Sequence, residues 1–236
     1  MPPIEVFFWP TPNGHKMTIA LEEMGLPYVF RMVNINVGAQ RSEDYTRLNP
    51  NNRMPTVVDP EGPDGRPITI FESGAILQYL GEKSGKLYPR DWRARVEVDQ
   101  WLFWQVSALG PFAGQVEHFR DYAPRKVSDP AQLAYALDRY TKEVDRLYRV
   151  LERGLKGRDF IAGEFSIADA AIWPWLRGSY QQSFEGLPRL AAYFERVHAR
   201  PAVQKALAIG AAARARGVRG EDFVDPATLD LVKKHS

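Results

Sequence analysis

The tightest constraint on the fold lies in the first 35 residues, where two strand patterns are separated by a helical one. Ile4 to Trp9 are apolar and aromatic and alternate loosely, as a buried strand does. Pro10-Thr-Pro-Asn-Gly14 has the residues of a turn. From His15 the apolar residues Met17, Ala20, Leu21 and Met24 recur at helical spacing, and Gly25 closes the helix. Tyr28 to Ile35 then reads as a second strand. Two strands joined by a helix cannot form a hairpin, so they lie parallel in one sheet with a crossover between them.

The next segments extend that sheet. A short helix, Ser42 to Leu48, leads into Asn49-Pro-Asn-Asn-Arg-Met-Pro-Thr-Val-Val-Asp59, a polar turn, a proline and a short strand over Thr56–Asp59. The turn-rich Pro60 to Pro67 joins it to Ile68-Thr-Ile-Phe71 as an antiparallel hairpin. Glu72-Ser-Gly opens a helix with Ile76, Leu77 and Leu80 on one face. The order βαβ, then ββα, is of the thioredoxin type.

After Pro89 the strand signal stops. Helical patterns cover about 90–118, 131–155, 167–182 and 187–200, and Gly110-Pro111 should kink the first. Phe165-Ser-Ile-Ala-Asp169 spells a capping box in its Asp form, followed by Trp173-Pro-Trp175 on what reads as a buried central helix. From Gly210 the chain is rich in Ala, Arg and Gly and reads as a loosely packed tail. The expected organisation is an α/β module over 1–88, an all-helical module over 89–210 and a tail over 211–236.

Composition excludes several chemistries. The 236 residues contain no cysteine, so disulfides, cysteine metal sites and a protein thiol nucleophile are ruled out. The four histidines, His15, His118, His198 and His235, include no close pair, and no metal is expected. A formal net charge of +2 gives no general reason to expect nucleic acid or an acidic membrane as partner. Arg214, Arg216, Arg219, Lys233 and Lys234 make the tail basic, but Glu221, Asp222, Asp225 and Asp230 are interspersed with them. No apolar run is long enough to span a bilayer and no leader pattern opens the sequence, so a cytoplasmic protein is expected.

Four stretches could carry chemistry. Thr11-Pro12-Asn13-Gly14 precedes a helix whose free N–H groups and partial positive charge favour an anion; the same residues also serve as plain turn and cap residues. Glu72-Ser73 could hold an α-amino acid head group, the acid answering the ammonium and the hydroxyl the carboxylate, or Ser73 could simply cap its helix. Met54-Pro55 offers a peptide edge at the mouth of a strand, and a cis bond would turn the Met54 backbone outward; the plain alternative is a proline that starts a strand. Trp101, Phe103, Trp104, Phe112 and Phe119 are core candidates, some of which could line an apolar pocket.

In these motifs the sequence resembles the cytosolic glutathione transferases, in particular the bacterial nu class. Pro-Thr-Pro-Asn-Gly-His-Lys at 10–16, Asn-Pro-Asn-Asn-Arg-Met-Pro at 49–55, Phe-Glu-Ser-Gly-Ala-Ile-Leu at 71–77, Gln-Trp-Leu-Phe-Trp-Gln-Val at 100–106 and Ser-Ile-Ala-Asp at 166–169 match in order and spacing, over about residues 4 to 205. The resemblance implies an N-terminal thioredoxin-like domain, an all-helical C-terminal domain that shapes the second-substrate pocket, and a homodimer. It also implies that glutathione, reduced or oxidised, is the cosubstrate. Met54 would pair through its backbone with the cysteinyl unit ahead of cis-Pro55. Glu72 and Ser73 would take the γ-glutamyl amine and carboxylate, Gln40 the glycyl end, and Arg139 a carboxylate, with Arg53 as a helper. Thr11 and Asn13 would face the sulfur. Better-known classes place Tyr, Ser or Cys there, so the resemblance implies reduction of small disulfides with glutathione and weaker conjugation of electrophiles. A glutathione-binding or regulatory protein without turnover is the alternative.

Overall fold

Glycine placement and proline placement explain most of the element boundaries. The computed structural model of the chain describes residues 2–217. Strand β1 (Ile4–Phe8) runs into helix α1 (Pro12–Met24), which Thr11 caps and Gly25 ends with φ 71°. Proline suits the first helical position because its missing N–H has no partner there, and glycine takes the left-handed closing conformation without a Cβ penalty. Then follow β2 (Tyr28–Met32), α2 (Glu43–Leu48), β3 (Thr56–Asp59), β4 (Ile68–Phe71) and α3 (Ser73–Ser84). The sheet order is β2-β1-β3-β4, with β1 and β2 parallel and the other two pairings antiparallel.

The strand period of two sorts β1 between two layers. Val6 and Phe8 alternate with Phe7. Phe8 packs against Phe30 with the rings tilted and meets His15 of α1 edge-on. Phe7 joins Tyr45 and Val33, against which Leu48, Met54 and Val58 pack. The α1 and α2 layers therefore meet alternate residues of the same strand.

Past Pro89 the described elements are all helical. Helix α4 (Trp92–Trp104) passes into a wider π-helical turn over Gln105–Leu109 and then into α5 (Gly110–Glu117). The interruption expected at Gly110-Pro111 takes this form: Gly110 N–H reaches five residues back to Gln105, and Pro111 has no N–H to continue a four-residue ladder. Helix α6 (Ala134–Gly154) is the longest element, followed by α7 (Ile167–Ile172) and α8 (Pro188–His198). The capping box is present: Ser166 N–H donates to Asp169 at 2.9 Å, and the Ser166 hydroxyl accepts from Ala168 N–H at 3.3 Å. The helix expected over 167–182 stops at Ile172, because Pro174 breaks the ladder and Trp173–Leu176 winds as a tighter 3-10 turn. Of the five aromatics expected to be core, none is fully buried; Phe103 is 58% exposed.

The expected tail needs correction. Helix α9 (Pro201–Gly217) crosses residue 210 and buries Val203, Ala206, Ile209 and Ala213. Gly210 belongs there because a Cβ would come within 2.3 Å of the His15 ring on α1. The remainder of the expected tail, with Arg219, Lys233 and Lys234, lies outside the described residues. Backbone contacts divide the described chain into two units, the residues up to Tyr88 with those from Ala199, and Pro89–His198.

Candidate active site

Sheet register brings three of the four candidate stretches to one end of the first unit. Phe7 of β1 pairs with Thr56 of β3, and Thr56 pairs with Phe71 of β4. The residues just beyond these partners are Trp9 to Thr11, Met54-Pro55 and Glu72-Ser73, so all three leave the sheet at the same end. The Met54-Pro55 bond is cis.

Buried side chains fix the backbone on both sides of that bond. The Arg53 carbonyl can only accept, and it takes the Tyr45 hydroxyl at 2.7 Å together with an Asn49 N–H. Burial raises the Tyr45 phenol above its usual range, so it stays protonated and donates. Asn49 also donates to the Thr56 hydroxyl at 3.0 Å, and Thr56 then donates to Tyr45 across 2.9 Å. The result is a closed ring of donors and acceptors about Met54-Pro55, and Tyr45, Asn49 and Thr56 are all buried. These three are missed by motif reading. The hydrophobic spacing of α2 points inward at Tyr45, but only the fold brings its hydroxyl to Arg53.

At the neighbouring corner, Glu72 adopts φ 71° and ψ 115°, a conformation that residues with a side chain rarely take. Such a residue costs about 1–3 kcal/mol and persists only where its surroundings demand it. The exposed Glu72 carboxylate accepts from Asn51 at 3.3 Å. Glu72 occupies the cap position of α3 without a side-chain cap bond, and Ser73 is the first helical residue. Ser73 therefore does not cap its helix. It is buried, and its hydroxyl accepts from Lys16 Nζ at 3.1 Å. Burial pulls the Lys16 amine down to about 7, against the raising effect of the Glu72 charge.

The third stretch is the start of α1. The Thr11 hydroxyl accepts from Gly14 N–H at 3.3 Å, and its own O–H remains a donor. Asn13 sits in the first turn, partly exposed. Gly14 is required: a Cβ there would stand 2.0 Å from the Trp9 carbonyl oxygen. Gln40 lies in a short 3-10 turn, Ala39–Arg41, with its carbonyl oxygen buried and without a partner among the described residues. Arg53 is exposed. Arg139 is exposed on α6 in the second unit, where with Phe112, Tyr135, Tyr140 and Arg146 it lines a groove of about 560 Å³. Among the described residues no group of three His, Asp or Glu could hold a metal ion.

Two family models match the chain, "Glutathione S-transferase, N-terminal domain" over residues 11–83 and "Glutathione S-transferase, C-terminal domain" over 134–196. The chain is 42% identical to the disulfide-bond oxidoreductase YfcG of Escherichia coli, over 86% of this chain and 94% of that protein. The chain belongs to the glutathione transferase family. Among solved structures it is similar to a family member from Pseudomonas fluorescens with two glutathione bound (40% identity, TM-score 0.81, covering 86% of this chain and 92% of that one). A glutathione transferase from Pseudomonas putida, with one glutathione disulfide bound per subunit, matches at 41% identity and TM-score 0.82 over 87% and 90% of the two chains. In this transferase the Met-Pro edge, the Glu72-Ser73 corner and the α1 start all fall within the matched N-terminal domain.

Proposed function

We propose that this transferase reduces small-molecule disulfides with glutathione, holding the tripeptide along Met54-Pro55 and Glu72-Ser73 and activating its sulfur at Thr11 and Asn13. The observation that carries the reading is the convergence of an anion-favouring helix start with an amino-acid cradle at one end of the sheet, in a sequence without cysteine. The reacting sulfur then has to come from the ligand. In this reading the Met54 backbone pairs with the cysteinyl unit. Glu72 takes the γ-glutamyl amine, Ser73 its carboxylate, Gln40 the glycyl end and Arg139 a carboxylate.

A free thiol with pKa about 8.5 is only a few per cent ionised at neutral pH. Lowering it by about two units requires roughly 2.7 kcal/mol. A helix N-terminus contributes up to about 2 kcal/mol when partly buried, and each hydrogen bond to a charged acceptor about 1.5–3. The Thr11 hydroxyl, the Asn13 amide and the first N–H groups of α1 are sufficient for this without a general base. The thiolate attacks one sulfur of the disulfide, forms a mixed disulfide and expels the other half as a thiolate. A second glutathione thiolate attacks the glutathione sulfur of the mixed disulfide, giving glutathione disulfide and the second thiol.

A homodimer belongs to the same proposal. Trp92, at 75% exposure, and Val96 border a groove of about 760 Å³ with Trp101 and Trp104, apolar surface of the kind that subunit contacts cover. No helix among the described residues is long and apolar enough to cross a membrane.

The test is steady-state reduction of 2-hydroxyethyl disulfide by glutathione, run beside an aryl chloride and beside direct titration of oxidised glutathione. Disulfide turnover well above aryl conjugation is expected. Tight binding of oxidised glutathione with turnover of neither substrate would overturn the proposal in favour of a binding or regulatory protein.

A further inference from the structure

Lys16 has no place in the reading above, yet it is 1% exposed and points its ammonium at the serine of the amino-acid cradle. An ammonium has three donors and no acceptor. The Ser73 oxygen therefore commits a lone pair to Lys16, and the hydroxyl proton is turned away from the lysine, towards whatever lies on the other side. A buried cation is also retained only where negative charge answers it. The charge of Glu72 acts on Lys16, and Glu72 is itself exposed and engaged by Asn51.

We propose that Lys16 is a positioning residue for the γ-glutamyl head group, fixing the Ser73 hydroxyl as a donor to the ligand α-carboxylate and supplying the buried positive charge that this carboxylate answers. The inference rests on the assignment of Glu72 and Ser73 to that head group. It splits the labour of the corner. Glu72 meets the ammonium from the solvent side, and Lys16 works on the carboxylate from beneath through one hydroxyl.

A charge balance follows from this. Without ligand, burial pulls the Lys16 amine down to about 7, so it is only partly in the ammonium form at physiological pH. An arriving carboxylate favours its protonated form, so binding near pH 7 takes up a fraction of a proton.

The experiment compares glutathione with an analogue that lacks only the α-carboxylate, 4-aminobutyryl-cysteinyl-glycine. Both are titrated calorimetrically into the wild type, Lys16→Met and Ser73→Ala. The wild type should prefer glutathione. In Lys16→Met glutathione binding should weaken about 10- to 100-fold while the analogue loses less than about threefold, so that the preference collapses. The kinetic loss should fall on KM for glutathione. Equal weakening of both ligands, or a preference that survives, would leave Lys16 a purely structural residue and overturn the proposal. A wild type indifferent to the carboxylate would instead remove the Glu72-Ser73 assignment, and this proposal with it. Should Lys16→Met not fold, the wild type alone decides. Calorimetry at pH 7 in buffers of different ionisation enthalpy should show proton uptake with glutathione and none with the analogue; equal proton exchange for the two overturns it.

Discussion

Around Met54-Pro55 the side chains that fix the backbone are buried and mutually bonded, whereas around Thr11–Gly14 the fixing comes from close packing and from one contact made by a distant helix. Tyr45, Asn49 and Thr56 close a ring on the residues flanking the proline, and the Ser73 hydroxyl is held from below by Lys16. At the first loop Thr11 has its cap bond to Gly14, Gly14 lies against the Trp9 carbonyl, and the Pro10 carbonyl accepts from Arg214 of α9 at 2.8 Å. Holding a peptide edge needs fixed backbone groups, which a buried ring provides. Stabilising a thiolate needs donors that stay aimed at one point, and a helix start delivers them as a set. The two regions should therefore fail differently when mutated.

The largest effect is expected at Gly14. Gly14→Ala puts a methyl group into the Trp9 carbonyl, a backbone atom that cannot swing away. Overpacking of this kind costs about 1–3 kcal/mol or more. The denaturation midpoint should fall by at least that equivalent, and disulfide reduction should fall further than stability explains. Wild-type stability in Gly14→Ala would mean that the loop is free to move, and the contrast with the Met-Pro edge would disappear.

Next in size is the sulfur itself. If Thr11 and Asn13 donate to the sulfur as proposed, Thr11→Ala with Asn13→Ala should return the apparent pKa of bound glutathione most of the way to the free value of about 8.5, since two hydrogen bonds of about 1.5–3 kcal/mol each to a charged acceptor are lost. The thiolate absorbance near 240 nm against pH measures this, and the glutathione dissociation constant should move little at low pH, where the thiol is bound, and rise about 10- to 100-fold at high pH, where the thiolate is. Weaker binding with an unchanged thiol pKa would assign the loop to holding and not to activation.

Tyr45→Phe probes the opposite region. It removes the donor to Arg53 and the acceptor for Thr56 from a buried ring. A loss of about 1–2 kcal/mol in stability is expected, with KM for glutathione raised and the thiol pKa unmoved. A shifted pKa would show that the two regions are coupled.

What the sequence discloses about this molecule depends on how local each signal is. The four strands are legible from alternation and turn residues, whereas the register that brings Met54, Thr11 and Glu72 to one end is set by the pairing of β1, β3 and β4. Pro174 should have ended its helix on local grounds, because a proline inside a helical pattern removes a ladder bond. Other features are set by tertiary contact. Lys16 looks like a solvated lysine one turn into a helix, and only tertiary packing, with Ser73 of α3 at its Nζ, buries it. Asn49 looks like a turn residue until Arg53 and Thr56 close on it. Helix α9 is hidden for another reason. Its buried stripe of Val203, Ala206, Ile209 and Ala213 is built largely from small residues, which carry weak hydrophobic signal, and it gains its meaning from the surface of α1 that it covers.

That covering helix supplies the finest test of the contrast. Helix α9 is tied to α1 by Arg200 with Glu23 at 2.6 Å and Lys205 with Glu22 at 3.0 Å, and by the Gly210 approach to His15. These contacts fix the helix whatever Arg214 does. The Arg214 bond to the Pro10 carbonyl is separate: it ends on the residue before Thr11 and comes from a side chain on a residue that is otherwise exposed. A part-buried bond from a largely exposed side chain contributes on the order of 1 kcal/mol, so Arg214→Ala should lower the denaturation midpoint only slightly. If the first loop depends on that bond for its aim, the thiol pKa of bound glutathione should still rise by a few tenths of a unit, about what a slightly misaimed donor loses, and Arg214→Lys should restore part of it. Tyr45→Phe should show the reverse pattern, stability lost and pKa kept. Should Arg214→Ala leave both quantities at wild-type values, the first loop is fixed without help from Arg214, and the role of α9 is confined to burying α1.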